Sequence, residues 1–139
     1  MELLTPEIRA ALLANGEAAL ANEGRHDPVP VVKLFNPVGA ATWLVTELDA
    51  DGDTLFGLAD LGVQCPELGA FSLSEITGLR LAFGLSVERD LTFATTHTLS
   101  RWADAARHRG SISDAERWLW QVPPRAAPDP LPSPDPEDG

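Results

Sequence analysis

Three aspartates at alternate positions, Asp49, Asp51 and Asp53, have the residue type and spacing of metal ligands. Carboxylates spaced in this way resemble the first half of a calcium-binding loop. An EF-hand loop, however, also has a glycine at its sixth position and a bidentate glutamate at its twelfth. Counted from Asp49, these positions hold Thr54 and Asp60. The spacing therefore favours a solvated hairpin turn over a specific calcium site.

A second group of carboxylates, Glu47, Asp60 and Glu67, is a candidate for a metal or acid–base site. Glu47 and Asp60 fall near the ends of two strands that are predicted to be adjacent, and Glu67 falls in the following loop. Two carboxylates held close together can share a proton or a divalent ion. No histidine is near them in the sequence. The alternative is that these side chains only form ion pairs or cap helices, which leaves the chain without catalytic residues.

The charge of the chain limits its partners. Its 139 residues include 21 acids and 10 bases, for a formal net charge of −11, and residues 34–79 contain seven acids and no lysine or arginine. Phosphate backbones and anionic membranes repel such a protein, so we expect neither direct nucleic-acid binding nor membrane binding. We expect instead a protein partner that meets a surface formed by Glu47, Asp49, Asp51, Asp53, Asp60 and Glu67.

Several common kinds of site are excluded by residue type. A single cysteine excludes a disulfide framework and a multi-cysteine zinc site. The sequence has no nucleophile elbow, P-loop or dinucleotide fingerprint, and we expect no cofactor. No stretch approaches the ~18 apolar residues of a membrane span, and the first residues do not resemble a secretion signal. We therefore expect a cytoplasmic protein.

The elements that position these residues are predicted to form one α+β domain over residues 1–121. Thr5-Pro6 begins a helix, and Asn15-Gly16 lies inside it as a point where it can break. A small antiparallel sheet follows, built from a meander of three strands and a later strand, with helices packed on one face. The predicted strands are residues 29–35, 41–48, 54–60 and 85–94, and residues 61–69 are predicted to be irregular.

Three further helices are predicted from their first residues. Ser72 and Ser113 each begin a capping box, and Thr98 begins a helix that Gly110 ends. Trp118 and Trp120 are about 200° apart on a helix, so they cannot face the same way. One of them is expected to be exposed or covered by a partner, which makes this segment a candidate interface.

The end of the chain has a different composition. Seven of its 12 prolines lie in residues 123–136. Proline removes a backbone donor and fixes φ, so residues 122–139 are predicted to be a disordered, acidic, proline-rich tail. The alternative is that this tail is a ligand for a partner protein that has a groove lined with aromatic side chains.

Six segments resemble one small bacterial family, the domain of unknown function 2958, over about residues 3–110. The segments are LLTPEIRAALLANG (3–16), VVKLFNP (31–37), ATWLVTELD (41–49), FGLADLG (56–62), PELGAFSLSEI (66–76) and VERDLTFATTHTLSRWADAAR (87–107). The resemblance implies an accessory protein of plasmids and other mobile DNA. It implies no catalytic residue.

Together these observations favour a non-enzymatic accessory protein that binds another protein through its acidic surface. A sharper version is a decoy that presents carboxylates to a DNA-binding protein in place of phosphates. The alternative is a metal- or small-ligand-binding domain, including a hydrolase, that uses Glu47, Asp60 and Glu67. The oligomeric state stays open.

Overall fold

The computed structural model describes residues 2–23 and 25–122. The longest helix among them has 16 residues, and none has the length and apolar character that a bilayer span requires. The predicted tail falls on residues outside this range, except for Val122. The elements are α1 (Pro6–Ala21), β1 (Val32–Phe35), β2 (Thr42–Leu48), β3 (Thr54–Asp60), β4 (Glu67–Ser72), α2 (Leu73–Thr77), a 3-10 turn (Ala82–Gly84), β5 (Glu88–Arg89), α3 (Leu99–Arg109) and α4 (Ile112–Leu119).

The five strands form one antiparallel sheet in the order β4-β3-β2-β1-β5. This confirms the predicted α+β class and the meander. β4 occupies part of the segment predicted to be irregular. It is an edge strand in which no side chain is fully buried, so its position depends mainly on backbone pairing with β3.

The later strand is much shorter than predicted. Only Glu88 and Arg89 pair with β1, opposite Phe35 and Leu34. The next residue, Asp90, accepts hydrogen bonds from the backbone and the hydroxyl of Thr92, both at 2.9 Å. This side-chain turn competes with strand pairing, and it ends β5.

The helices cover both faces of the sheet, not one face as the sequence predicts. Leu12 of α1 and Ile76 of α2 belong to one core cluster with Trp43 and Val45. The helices α3 and α4 form a second cluster with the neighbouring strand residues Leu44 and Leu58. Both faces must be covered because both alternating sets of β2 carry buried apolar side chains, with Trp43 and Val45 on one face and Leu44 on the other.

A β-bulge between Val45 and Glu47 changes which face the end of β2 presents. Leu48 is three residues from Val45, an odd spacing that places two side chains on opposite faces of a regular strand. Because the bulge adds one residue, Leu48 packs in the same cluster as Val45. The strict alternation of a regular strand therefore ends at this bulge in β2.

The helix α1 continues through Asn15-Gly16, where the sequence allows a break. A Cβ on Gly16 would lie 2.7 Å from the carbonyl oxygen of Leu48, and the amide of Asn15 donates to the carbonyl of Thr46 at 2.9 Å. The two residues therefore form the point at which α1 lies directly on the β2 backbone. The predicted cap is confirmed, since Thr5 Oγ1 accepts from Ile8 N at 3.1 Å.

Side chains from distant segments hold α3 and α4 on the sheet. Asp27 accepts from the backbone N–H of Ser100 at 3.0 Å, in the first turn of α3. The ammonium of Lys33 on β1 lies 2.7 Å from Glu116 of α4. The cap of α4 is Ser111, which accepts from the N–H of Asp114, and not Ser113 as predicted.

The close approach of β2 and β3 provides a test of the fold. A Cβ on Gly57 would lie 1.9 Å from the carbonyl oxygen of Leu44, whereas a Cβ on Gly69 meets nothing within 4 Å. We expect Gly57→Ala to lower the free energy of unfolding by about 1–3 kcal/mol, measured by urea denaturation. The matched variant Gly69→Ala is expected to unfold like the wild type. Equal stability of both variants would contradict this packing.

Candidate functional site

The turn between β2 and β3 brings four of the predicted acidic residues together. We call Glu47, Asp49, Asp51 and Asp53 the acidic turn. The carboxylate of Asp51 accepts from the backbone N–H groups of Asp53 and Thr54 at 2.8 and 2.9 Å, and from the hydroxyl of Thr54 at 2.7 Å. These bonds close the hairpin turn, which confirms the interpretation of the three alternating aspartates as a turn.

Asp53 connects this turn to α2. Its carboxylate accepts from the hydroxyl of Ser72 and from the backbone N–H of Ser74, both at 2.8 Å. Ser72 also accepts from the N–H of Glu75, which confirms Ser72 as the cap of α2. The acidic turn therefore lies against the first turn of α2, where Glu75 adds an exposed carboxylate.

Hydrogen bonding lowers the pKa of two of these carboxyls. The hydroxyl of Thr54, followed by backbone N–H groups, lowers the pKa of Asp51. The hydroxyl of Ser72 and then the N–H of Ser74 lower the pKa of Asp53. Glu47 is half-buried, and its burial raises its pKa, although nearby His26 opposes the rise.

The sequence predicts Asp60 as part of the acidic surface. This prediction is wrong, because the side chain of Asp60 is buried. It is only 2% exposed, and its two carboxylate oxygens accept from the N–H groups of Gly62 at 2.9 Å and Ile112 at 2.8 Å. The second bond holds the first residue of α4, where the helix dipole favours a negative charge. Asp60 therefore fastens α4 to the end of β3.

The strand register keeps the second candidate group of carboxylates apart. Glu47 pairs with Phe56, four residues before Asp60 in β3, which is about 13 Å along an extended strand. Glu67 pairs with Ala59, whose side chain packs on the α1 face, whereas Asp60 contacts α4 on the other face. Within residues 2–23 and 25–122, no three His, Cys, Asp or Glu residues converge as metal ligands. The structure therefore does not bring Glu47, Asp60 and Glu67 together at one site.

The loop after α2 contains a strained, exposed aromatic residue that the sequence does not predict. Phe83 is 89% exposed and has φ +62° and ψ +23°. This left-handed conformation costs a bulky residue roughly 1–2 kcal/mol. Strained backbone of this kind is concentrated at functional sites. The signal in the sequence is Gly84, because glycine is a common turn residue.

The two tryptophans of the C-terminal segment face different ways, as predicted. Trp120 is 79% exposed. Trp118 is half-buried and packs against the α3–α4 core. The guanidinium carbons of Arg101 and Arg109 lie 5.8 and 5.2 Å from the centre of the Trp118 ring, within the range of cation–π attraction. This arrangement forms a second candidate site, on the face of the sheet that α3 and α4 cover.

Comparison with known proteins gives one result that bears on identity. A family model, DUF2958, with the description "protein of unknown function", matches residues 3–113. The chain belongs to this family. The DUF2958 match includes all five strands, the acidic turn and α3, and it ends before Trp118 and Trp120. Neither the comparison with curated proteins nor the one with solved structures found a match.

The role of Asp60 can be tested by removing its carboxylate. Asp60→Ala leaves two N–H groups without their acceptor, and that of Ile112 is buried. We expect a loss of about 2–3 kcal/mol in the free energy of unfolding, measured by urea denaturation. Asp49→Ala, which removes an exposed carboxylate from the same hairpin, is the control, with an expected change within about 0.5 kcal/mol. An unchanged stability of Asp60→Ala would contradict a fastening role.

The acidic turn predicts the sign of the pH dependence. The folded-state pKa values of Asp51 and Asp53 lie below the ordinary 3.8. Their charged forms therefore stabilise the fold above pH 3.8, and this contribution is lost as the pH falls through the folded-state values. Asn keeps an acceptor oxygen but does not titrate. We expect the urea midpoint of Asp51→Asn/Asp53→Asn to fall less on acidification than that of the wild type.

The stability of the Asp51→Asn/Asp53→Asn variant is still expected to fall somewhat at low pH, because Asp90 also has a lowered pKa. Burial alone would raise the pKa of Asp90, but hydrogen bonds from Thr92 and the charge of Lys33 lower it overall. The control is Asp49→Asn/Glu67→Gln, which also removes two exposed charges and leaves the Asp51 and Asp53 hydrogen bonds in place. If the control lost as much acid sensitivity as the Asp51/Asp53 variant, net charge and not the turn would be the cause.

Proposed function

We propose that the protein is a non-enzymatic accessory module that binds a basic surface of another protein through its acidic turn. The observation that supports this most strongly is that the acidic turn gathers four carboxyl groups that have no lysine or arginine partner among the described residues. Within residues 2–23 and 25–122, no carboxylate of the acidic turn lies within ion-pair distance of a lysine or arginine. An exposed group of uncompensated charge attracts an oppositely charged partner and accelerates encounter.

The hydrogen bonds of the turn make these charges suitable for recognition. Asp51 accepts three hydrogen bonds from the backbone and hydroxyl groups around it. Asp53 accepts two. Their lowered pKa values show that these hydrogen bonds favour the charged forms of both carboxyls. A partner therefore meets carboxylates whose positions are already fixed, so little conformational entropy is lost on binding.

Phe83 is proposed as the apolar contact of the same surface. Charged residues alone are depleted from interface centres, where aromatic side chains supply most of the affinity. The acidic turn lies at the first turn of α2, and Phe83 follows six residues after its end. A standard interface covers ≈ 800 Å² per partner, an area large enough to include both ends of this five-residue helix.

The chemistry of the partner follows from the charge of the acidic turn. A surface that binds DNA phosphates has fixed arginines and lysines, and the same groups would pair with fixed carboxylates. In the sharper form of the proposal, the partner is a DNA-binding protein, and the acidic turn occupies the site at which that protein binds DNA phosphates. The proposal also includes the accessory role in mobile DNA that the family resemblance implies.

A pull-down that compares matched variants tests the proposal. We expect the tagged wild-type protein to retain a partner at low salt that the variant Asp49→Asn/Asp51→Asn/Asp53→Asn does not retain. Asp60 is left intact because its loss would disturb the fold. The control is Glu67→Gln/Glu88→Gln/Asp104→Asn, which makes the same change in net charge elsewhere. Retention is measured by quantitative mass spectrometry.

Two further arms make the result specific. Phe83→Gly is expected to reduce retention at least several-fold with no loss of thermal stability, because glycine relieves the positive φ. Added duplex DNA is expected to release a partner whose DNA site is occupied. If the acidic-turn variant and the control retain the same proteins equally well, the acidic turn does not bind a partner and the proposal is wrong.

A further inference from the structure

The outer surface of α3 and α4 has a groove of about 490 Å³ that is distinct from the acidic turn. Arg101, Asp104, Ala105, His108, Arg109 and Trp118 line it. The two arginines lie in the first and the last turn of α3, and both guanidiniums approach the ring of Trp118. The indole therefore holds two cations at one site.

The groove is locally cationic although the chain as a whole is strongly acidic. The acids of α3 and α4 already have partners, since Asp104 pairs with Arg107, Asp114 with Arg117 and Glu116 with Lys33. Among the residues that the structure describes, neither Arg101 nor Arg109 lies within ion-pair distance of a carboxylate. Two guanidiniums are thus available to an anionic group that enters the groove.

We infer that this groove is the docking site of the chain's own proline-rich segment, residues 123–139. The segment has seven prolines, four acids and one arginine, so its net charge of −3 complements the groove. Guanidiniums bind carboxylates through paired N–H donors, and proline-rich segments recognise surfaces lined with aromatic side chains. This inference does not depend on the function proposed for the acidic turn.

The position and length of the segment fit this site. It follows Val122, three residues after the end of α4. A second depression is lined by Arg109, Asp114, Arg117, Trp118 and Gln121. It shares Arg109 and Trp118 with the groove and includes Gln121, the residue before Val122. The 17 residues of the segment would span about 50 Å as a polyproline helix, whereas α3 is about 16 Å long.

The covalent link lowers the affinity that docking requires. A segment joined directly to its site experiences an effective concentration in the millimolar range, so a few weak contacts are enough. Prolines lose little conformational entropy on docking because their φ is already fixed. Trp120 is largely exposed and precedes the segment by three residues in the chain, so it can offer an aromatic surface to the first prolines.

Paramagnetic NMR of the full chain tests this inference. A nitroxide is attached to Ser133→Cys in a Cys65→Ser background, and signal intensities are compared before and after its chemical reduction. We expect the indole N–H signal of Trp118 and the amide signal of Arg109 to lose at least half of their intensity. The indole of Trp43, which is buried on the opposite face of the sheet, serves as the internal reference.

Charge variants establish the cause of the effect. Arg101→Glu/Arg109→Glu is expected to restore these signals, as is 1 M salt, where the Debye length falls to about 3 Å. The control Arg25→Glu/Arg80→Glu changes the net charge equally at two exposed arginines outside the groove, and it is expected to keep the broadening. A mixed sample of labelled and isotope-enriched chains shows whether the contact is between molecules.

Three results would overturn the inference. The first is equal broadening of Trp43 and Trp118, which would show that the segment has no preferred site. The second is broadening that persists in the Arg101/Arg109 variant. The third is broadening of the same size in the mixed sample, because a second copy would then occupy the groove.

Discussion

The apolar character of both faces of β2 is the constraint on which the rest of the structure depends. A strand that buries every second side chain needs one covering layer, but Trp43 and Leu44 are adjacent in the sequence and both buried. The sheet therefore lies between two helical layers. The first layer, α1, lies directly on the β2 backbone at Gly16. The second layer, α3 and α4, must return from the far end of the chain and be held by specific polar contacts.

Those polar contacts explain why the acids of the central segment have different roles. Asp60 is buried at the end of β3 and holds α4, whereas Asp51 and Asp53 close the opposite end of the hairpin. Asp49 stays exposed beside them. Some acids of this segment therefore accept hydrogen bonds that hold the fold together, whereas others lie exposed to solvent. Residue type alone does not distinguish these roles, because the difference lies in the backbone N–H groups that each carboxylate meets.

The features that could be predicted from the sequence are those determined by neighbouring residues. The start of α1 at Thr5, the hairpin at Asp51, the cap at Ser72 and the end of α3 at Gly110 each depend on a few adjacent positions. The burial of Asp60 could not be predicted in this way, since its partner Ile112 is 52 residues away. The bulge in β2 and the edge strand β4 likewise depend on pairing with another strand. For the candidate site, the sequence predicted the acidic turn but not the strained Phe83.

The strand order also has a consequence for the order of folding. The strands β1 to β4 each pair with their neighbour in the chain, so the meander closes only short loops and is expected to form early. Attachment of α4 closes much longer loops, because Lys33 and Glu116 are 83 residues apart. The layer that contains the cationic groove is therefore expected to form late. By the same reasoning we expect it to open first under native conditions, with the meander and its acidic turn still intact.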